Sequence, residues 1–306
     1  MGLYKLYSCN VEIQYKSWFL SKAMLFTMIT TVLNVILPFF VAYRSRGFWL
    51  KSQSYYEQPV VHFTYDYLLV AETVDPSQPI ICGETSILDE EITNEENCID
   101  MQVQEYDYNG DGKNDMLNII FNLNIPMDKT IASTTIILAL DFQLKTICPL
   151  QMQTLAIINE NFAVPPSGLK YYGDIELYQV SHLPCLRNIV DTKYNISLLN
   201  HSLDSNENIV DLILEKYINR EVITQTKTLH SRSQNGHTGN MEVRVYLRIP
   251  EMKIRYIPSL LQELKWAWPQ YLSLVVIFYW IFNKIKKFVF NNRLLMAWEI
   301  VPWKRS

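Results

Sequence analysis

Two stretches of this 306-residue chain are long, apolar and free of charge: residues 23–43 (AMLFTMITTVLNVILPFFVAY) and 266–282 (WAWPQYLSLVVIFYWIF). A helix crossing a hydrocarbon core of about 30 Å needs roughly 20 predominantly apolar residues, each rising about 1.5 Å. The first run meets that length. The second is near the short end, and its Trp266, Trp268, Tyr271, Tyr279 and Trp280 suit the two interfaces, where amphipathic rings collect. Lys284, Lys286, Lys287 and Arg293 follow it, with Lys304 and Arg305 in the tail. Basic residues are retained on the cytosolic side, so the C-terminus is expected there. A buried helix of a soluble domain would leave those cations without the anionic headgroups that suit them.

The first run is flanked by basic residues on both sides, Lys5, Lys16 and Lys22 before it and Arg44, Arg46 and Lys51 after it. The second run therefore sets the orientation, because two crossings return the chain to its starting side. The expected organisation is a cytoplasmic segment 1–22, a first transmembrane helix 23–43, an extracellular or lumenal region 44–264, a second transmembrane helix 265–283 and a basic cytoplasmic tail 284–306. The outside region, roughly 220 residues, suffices for a domain with its own core. A cleaved secretory signal is the other reading of the first run; its length, and Phe40 two residues before Ala42, argue against it. Asn34 lies inside the first span, and an amide in hydrocarbon is expected to face another helix. Asn195-Ile-Ser197 and Asn200-His-Ser202 are glycosylation sequons that fall in the outside region, where a glycan requires a surface loop.

Period-two alternation marks residues 60–70, with Val61, Phe63, Tyr65, Tyr67 and Leu69 on one face and His62, Thr64 and Asp66 on the other. Residues 116–123, 134–144, 150–158, 171–180, 222–229 and 241–249 read as further strands. About seven or eight strands with turn signals between them predict an antiparallel sandwich or barrel. Residues 207–219 instead place Val210, Leu214, Tyr217 and Ile218 at helical spacing, with Asn206 as N-cap. The expected fold class is mainly β: an antiparallel β-sandwich-like outside domain with one amphipathic helix, held between two transmembrane α-helices. Residues 82–104 read as an acidic surface loop with Glu90, Glu91, Glu95 and Glu96. Cys82, Cys98, Cys148 and Cys185 lie outside, where disulfides form. Their three possible pairings stay open, and Cys82–Cys98 would close the acidic loop. Cys9 is cytosolic and expected to be a free thiol.

A hydrophobic content of 49% allows a couple of spans and falls short of a polytopic transporter. A net charge of −4 does not favour nucleic acid as a partner; the lipid bilayer is one. There is no G-x-S-x-G, H-E-x-x-H, Gly-rich phosphate loop or C-x-x-C, and the five histidines are scattered, so no enzyme is expected and no catalytic residue is assigned. The sharpest local motif is DYNGDGKND at 107–115. Asp107, Asn109, Asp111 and Asp115 offer side-chain oxygens and Lys113 its backbone carbonyl, at the spacing hard calcium takes, with Gly112 for the sharp turn. Asn118 stands where an EF-hand ends in Glu, so the expectation is a structural calcium loop at a strand boundary. The other reading is an Asx- and Gly-rich turn closed by side-chain-to-backbone hydrogen bonds. In the tail, Phe288, Phe290, Leu294, Leu295 and Trp298 alternate with the basic residues. They read as a helix end snorkelling into headgroups, or as a segment that docks a cytosolic partner.

Together these residues resemble the transmembrane protein 231 family. The resemblance is carried by Arg44-Ser-Arg-Gly-Phe-Trp-Leu-Lys51 with Tyr56-Glu-Gln-Pro59, by the loop 107–115 running into Met116-Leu117, by Phe162-Ala-Val-Pro165 and Gly173-Asp174, by Tyr194-Asn-Ile-Ser197, and by the aromatic second span with Lys284-Ile-Lys-Lys-Phe-Val-Phe290. None is a signature alone; their order and shared topology make the resemblance specific. Residues around 82–98, residues 232–239 and the end of the tail have no counterpart in it. The resemblance implies a non-enzymatic membrane scaffold of the ciliary transition zone, within the tectonic-like (Meckel syndrome) complex. Tectonic proteins, B9-domain proteins, a coiled-coil C2-domain protein and other small transition-zone membrane proteins are the partners it implies. It further implies a diffusion barrier between plasma and ciliary membranes that supports ciliogenesis and Hedgehog signalling. Two alternatives stand beside it: an accessory subunit of a channel or flippase, and a calcium-stabilised adhesion or receptor module. The first should show a polar stripe along a span, where only Asn34 and a few Thr residues offer one. The second should show several calcium loops, and one is present.

Overall fold

The computed structural model describes residues 14–19, 21–45, 48–74, 79–83, 97–126, 129–185, 189–199, 209–236 and 239–300. Cys9, Arg46, Glu90, Glu91, Glu95, Glu96, Asn200, Asn206, Lys304 and Arg305 lie outside these residues. The chain forms two compact units, Met1–Lys51 with Pro258–Ser306, and Ser52–Ile257. It opens with β1 (Gln14–Lys16), α1 (Lys22–Arg44), β2 (Gln53–Glu57), β3 (Val60–Thr73) and β4 (Ile80–Gly83). There follow β5 (Cys98–Tyr106), β6 (Met116–Asn124), β7 (Ile131–Leu144), β8 (Leu150–Asn161), β9 (Pro166–Gln179) and β10 (Leu183–Pro184). The chain then runs through α2 (Ile209–Ile218), β11 (Val222–Asn235), β12 (Asn240–Arg248), β13 (Met252–Ile257), α3 (Leu260–Asn291) and β14 (Trp298–Ile300).

In the unit that holds both chain ends, Ser21 caps α1 by accepting a hydrogen bond from the Met24 N–H at 3.2 Å. A helix in hydrocarbon has no water to satisfy its polar side chains. The hydroxyls of Thr27, Thr30 and Thr31 solve this locally by donating to the carbonyls of Met24, Phe26 and Met28. β1 pairs antiparallel with β14, Gln14 opposite Ile300. Three-residue strands are too short to leave a periodic signal, so sequence reading missed both.

The other unit is mainly β. A four-stranded antiparallel sheet, β4-β3-β7-β8, and a five-stranded sheet, β11-β9-β12-β6-β5, share one core. A three-stranded sheet, β10-β13-β2, completes it. Leu117, Ile119 and Phe121 of β6 and Val243, Val245 and Leu247 of β12 meet Ile136, Leu138, Leu140 and Phe142 of β7 in that core, each set at the strand period of two. The opposite face of the four-stranded sheet is buried too. Leu68, Ile137, Ala139 and Leu155 lie under Ile213 and Tyr217 of α2. β7 is thus covered on both faces, which is why 134–144 reads as a nearly continuous apolar run.

Three local expectations are corrected. Tyr65 does not share the inner face with Val61, Phe63 and Leu69: the β3–β7 register jumps between Phe63 and Tyr67, and Tyr65 turns outward with φ 68°. A bulge inserts residues into one strand and breaks its alternation. Ile218 is exposed, and Ile213 replaces it in the buried stripe of α2. Residues 98–104, expected in a loop, form most of β5. As an exposed edge strand β5 carries polar residues on its outer side and shows little hydrophobic alternation.

The sheets are also less uniformly antiparallel than expected. β9 and β12 run parallel, as do β10 and β13. β11 and β12 are joined by a short link, yet β9 lies between them. At the start of β9 the Gly236 N–H donates to the Pro165 carbonyl.

Both lateral edges of the sandwich are closed. Cys82 of β4 and Cys98 of β5, the outer strands of the two main sheets on one side, form a disulfide with Cα atoms 5.9 Å apart. On the other side Thr154 of β8 bonds to Thr224 of β11 and to the Tyr217 hydroxyl, each at 2.6 Å. Cys148–Cys185, with Cα atoms 4.8 Å apart, ties the β7–β8 turn to the segment after β10.

Candidate functional site

The residues singled out in the sequence fall into three places: the α1–α3 pair, the 107–115 loop and the turn at Asn195. The helix pair is built from a stripe of α1 residues four apart, Thr30, Asn34, Pro38 and Ala42, that lie buried or half-buried. Spacing of four keeps them on one helix face. Phe26 meets Phe290 edge-on with centroids 6.4 Å apart, Tyr271 donates its hydroxyl to the Val35 carbonyl at 3.2 Å, and Ala42 packs with Ala267. Early residues of α1 thus meet late residues of α3, and the helices run antiparallel. Small residues at the crossing allow close approach of the backbones. The outer faces stay apolar and exposed, with Val32, Ile36 and Phe40 on α1 and Leu272, Val276 and Trp280 on α3.

Asn34 faces α3 as expected, yet its side-chain oxygen is buried without a hydrogen-bond partner. It lines a cavity of about 130 Å³ with Thr30, Tyr279, Phe282, Asn283 and Lys286. The four basic residues that follow the second apolar run differ in exposure. Lys286 is half-buried in this notch, whereas Lys284, Lys287 and Arg293 are exposed. The Lys284 ammonium lies 5.4 Å from the Trp280 ring centroid, a cation–π arrangement natural at an interface.

Length and apolarity alone mark α1 as a candidate membrane-spanning helix, and α1 is the one such helix among the described residues. The expected second span lies within α3, where Pro269, Gln270 and Ser273 dilute the apolar run and Lys265 and Lys284 bound it.

In the 107–115 loop, the Asp107 oxygens accept the N–H groups of Gly110 and Gly112 at 2.7 and 2.9 Å. Asn109 accepts from the Asp111 N–H and Asp111 from the Lys113 N–H. Gly110 and Gly112 have φ of 72° and 81°, a left-handed backbone that glycine adopts without Cβ strain. Lys113 turns its ammonium to the Gln58 carbonyl at 2.8 Å. The Gln58 amide and the Tyr108 N–H hold the Asp115 carboxyl below the usual carboxylate range. Among the described residues no three His, Cys, Asp or Glu side chains are grouped to hold a metal ion. Side-chain oxygens of Asp107, Asn109 and Asp111 thus accept backbone N–H groups within the loop, the hydrogen-bond pattern of an Asx-rich turn.

A neighbouring cluster was not foreseen. Glu105 of β5 accepts from the Phe63 N–H of β3 at 3.0 Å, from Asn114 at 2.6 Å and from His62 at 3.0 Å. Partial burial would raise the Glu105 pKa, but these hydrogen bonds outweigh it and hold the carboxyl below its ordinary value. No local pattern could reveal it, because Phe63 and His62 lie 42 and 43 residues from Glu105.

Asn195 lies exposed on a turn closed by its N–H to the Thr192 carbonyl. Tyr194 beside it is flanked by Arg220, whose guanidinium carbon lies 5.2 Å from the ring centroid.

The sequence profile of the family described as Transmembrane protein 231 matches residues 1–299. Transmembrane protein 231 of Xenopus tropicalis is 34% identical over 300 residues, 96% of this chain and 95% of that protein. Transmembrane protein 231 of Homo sapiens is 34% identical over 312 residues, 100% of this chain and 98% of that protein. Among solved structures, a proton-activated chloride channel matches with a TM-score of 0.30 and 8% identity over 88% of this chain and 95% of that chain, too slight a likeness to carry an argument. The full-length match to these relatives, with an apolar N-terminal helix and a β-rich unit, establishes that this chain belongs to the transmembrane protein 231 family.

Proposed function

We propose that this protein is a non-enzymatic membrane scaffold of the ciliary transition zone, acting in the tectonic-like complex that restricts exchange between plasma and ciliary membranes. The observation that carries the reading is the family match along the whole chain. Two crossings with both termini cytoplasmic are part of the proposal. Its support is the antiparallel contact of α3 with α1: a bilayer that covers the exposed apolar face of α1 covers that of α3 beside it. The β unit then lies outside, with lateral edges closed by a disulfide and a hydrogen-bond network, as suits a rigid spacer. Tectonic, B9-domain and coiled-coil C2-domain proteins are the proposed partners.

The test is imaging of C-terminally tagged protein in ciliated cells beside basal-body and axonemal markers. A narrow band between the two markers, lost when residues 284–306 are removed, is the expected result. Diffuse plasma-membrane signal together with normal cilia after gene removal would overturn the proposal.

A further inference from the structure

At the C-terminal end of α1 the chain folds back on itself. Phe48 is 6% exposed and packs with Ala42 and Ala267. Its ring stands edge-on to Phe39 at 6.4 Å, and Phe39 stacks on Tyr43 at 6.4 Å. These rings wall a cavity of about 690 Å³ lined by Phe39, Tyr43, Arg44, Phe48, Trp49 and Lys51. That volume falls in the range of small-molecule sites, about 300–1,000 Å³. Among the described residues, Arg44 and Lys51 are the charged side chains on its lining, and no carboxylate lines it to neutralise them.

We infer that this cavity binds a membrane phospholipid, with the phosphodiester between Arg44 and Lys51 and the upper acyl chain against Phe39 and Phe48. Three observations converge. The cavity is apolar with a doubly cationic edge, the complement of a lipid whose one anionic group joins two hydrocarbon chains. Guanidinium and ammonium groups form charge-assisted hydrogen bonds to phosphate oxygens. Phe39 on the lining meets Phe40 edge-on at 6.4 Å, and Phe39, Phe40 and Ile36 are exposed apolar residues of α1, so an acyl chain leaving the cavity beside Phe39 meets hydrocarbon-compatible surface. Tyr43 and Trp49, both exposed, are the residue types that collect at headgroup level. The inference rests on α1 lying in the bilayer and is independent of the ciliary reading.

The test uses the full chain in detergent micelles, analysed by native mass spectrometry with added dioleoylphosphatidylcholine, dioleoylglycerol or inorganic phosphate. The wild type is expected to retain one phosphatidylcholine, and Arg44→Gln/Lys51→Gln about tenfold less at equal lipid, as for loss of charge-assisted contacts. Dioleoylglycerol should be held weakly and equally by both proteins, and inorganic phosphate should give no adduct. Lys216→Gln/Lys253→Gln, which removes two exposed charges from the β unit, controls for net charge and should match the wild type. Circular dichroism of each variant checks folding. Equal retention of phosphatidylcholine by the wild type and the Arg44/Lys51 variant would overturn the inference. So would retention of dioleoylglycerol as strong as that of phosphatidylcholine, or of inorganic phosphate without lipid.

Discussion

At the scale of single residues, Glu105 is the clearest case of a side chain whose charge supports the fold. Its folded-state pKa lies below the ordinary 4.5, because Phe63, Asn114 and His62 donate to the ionised form. A lowered carboxylate pKa means stability that is complete above about pH 4.5 and is lost as pH falls through the lowered value. Thermal unfolding of the full chain should therefore show an acid-side decline that is shallower in Glu105→Gln. At pH 7 that variant should be about 1–2 kcal/mol less stable, through loss of a charged acceptor. Asn34 predicts the opposite sign. Its buried oxygen lacks a partner within the helix pair, so Asn34→Leu should leave the melting temperature in detergent unchanged or higher. A clear drop would show that the amide already has a satisfied bond.

At the scale of elements, stability is concentrated where sheets and helices are fastened. Tyr217 anchors α2, and its hydroxyl accepts the outward Thr224 N–H of β11 at 2.8 Å. Without that hydroxyl the buried Thr224 N–H keeps only its longer bond to the Thr154 hydroxyl, at 3.2 Å, and the buried Thr154 and Thr224 hydroxyls each lose a partner. Tyr217→Phe should thus destabilise by about 1–3 kcal/mol in denaturant unfolding. The disulfides span sequence separations of 16 and 37 residues. On the chain-entropy account, breaking them should cost about 3 and about 4 kcal/mol, read as the loss of unfolding midpoint under dithiothreitol. In the helix pair, Ala42 is 1% exposed. Ala42→Leu should overpack the crossing and cost about 1–3 kcal/mol, whereas Val32→Leu on the outer face should cost little.

At the scale of the whole molecule, the proposed topology places the β unit outside and the tail in the cytosol. Glycosidase treatment of protein from mammalian cells should then increase gel mobility, and Asn195→Gln should remove part of that shift. An unglycosylated β unit together with a C-terminal tag accessible only from outside would reverse the orientation.

What the sequence determined by itself is whatever depends on short-range regularity. The charge-free run at 23–43 became α1 almost residue for residue. Alternation at 116–123 and 241–249 became β6 and β12, and helical spacing near 210–218 became α2. Those signals survive because hydrophobic period and helix length are local consequences of burial. Only the tertiary structure decided the rest. The bulge that turns Tyr65 outward depends on the register of β3 against β7. The parallel β9–β12 pair depends on a link that skips a strand, although its length alone would permit a hairpin. Glu105 acquires its role from donors on β3 and in the loop after β5, and within 107–115 backbone N–H groups reach the Asp107 oxygens. The cavity beside Arg44 and Lys51 exists because Phe48 packs on Ala42, a contact between residues that no periodicity relates. Register, strand order and convergence of distant side chains are set by the competition of long-range contacts, and no stretch of sequence records that competition on its own.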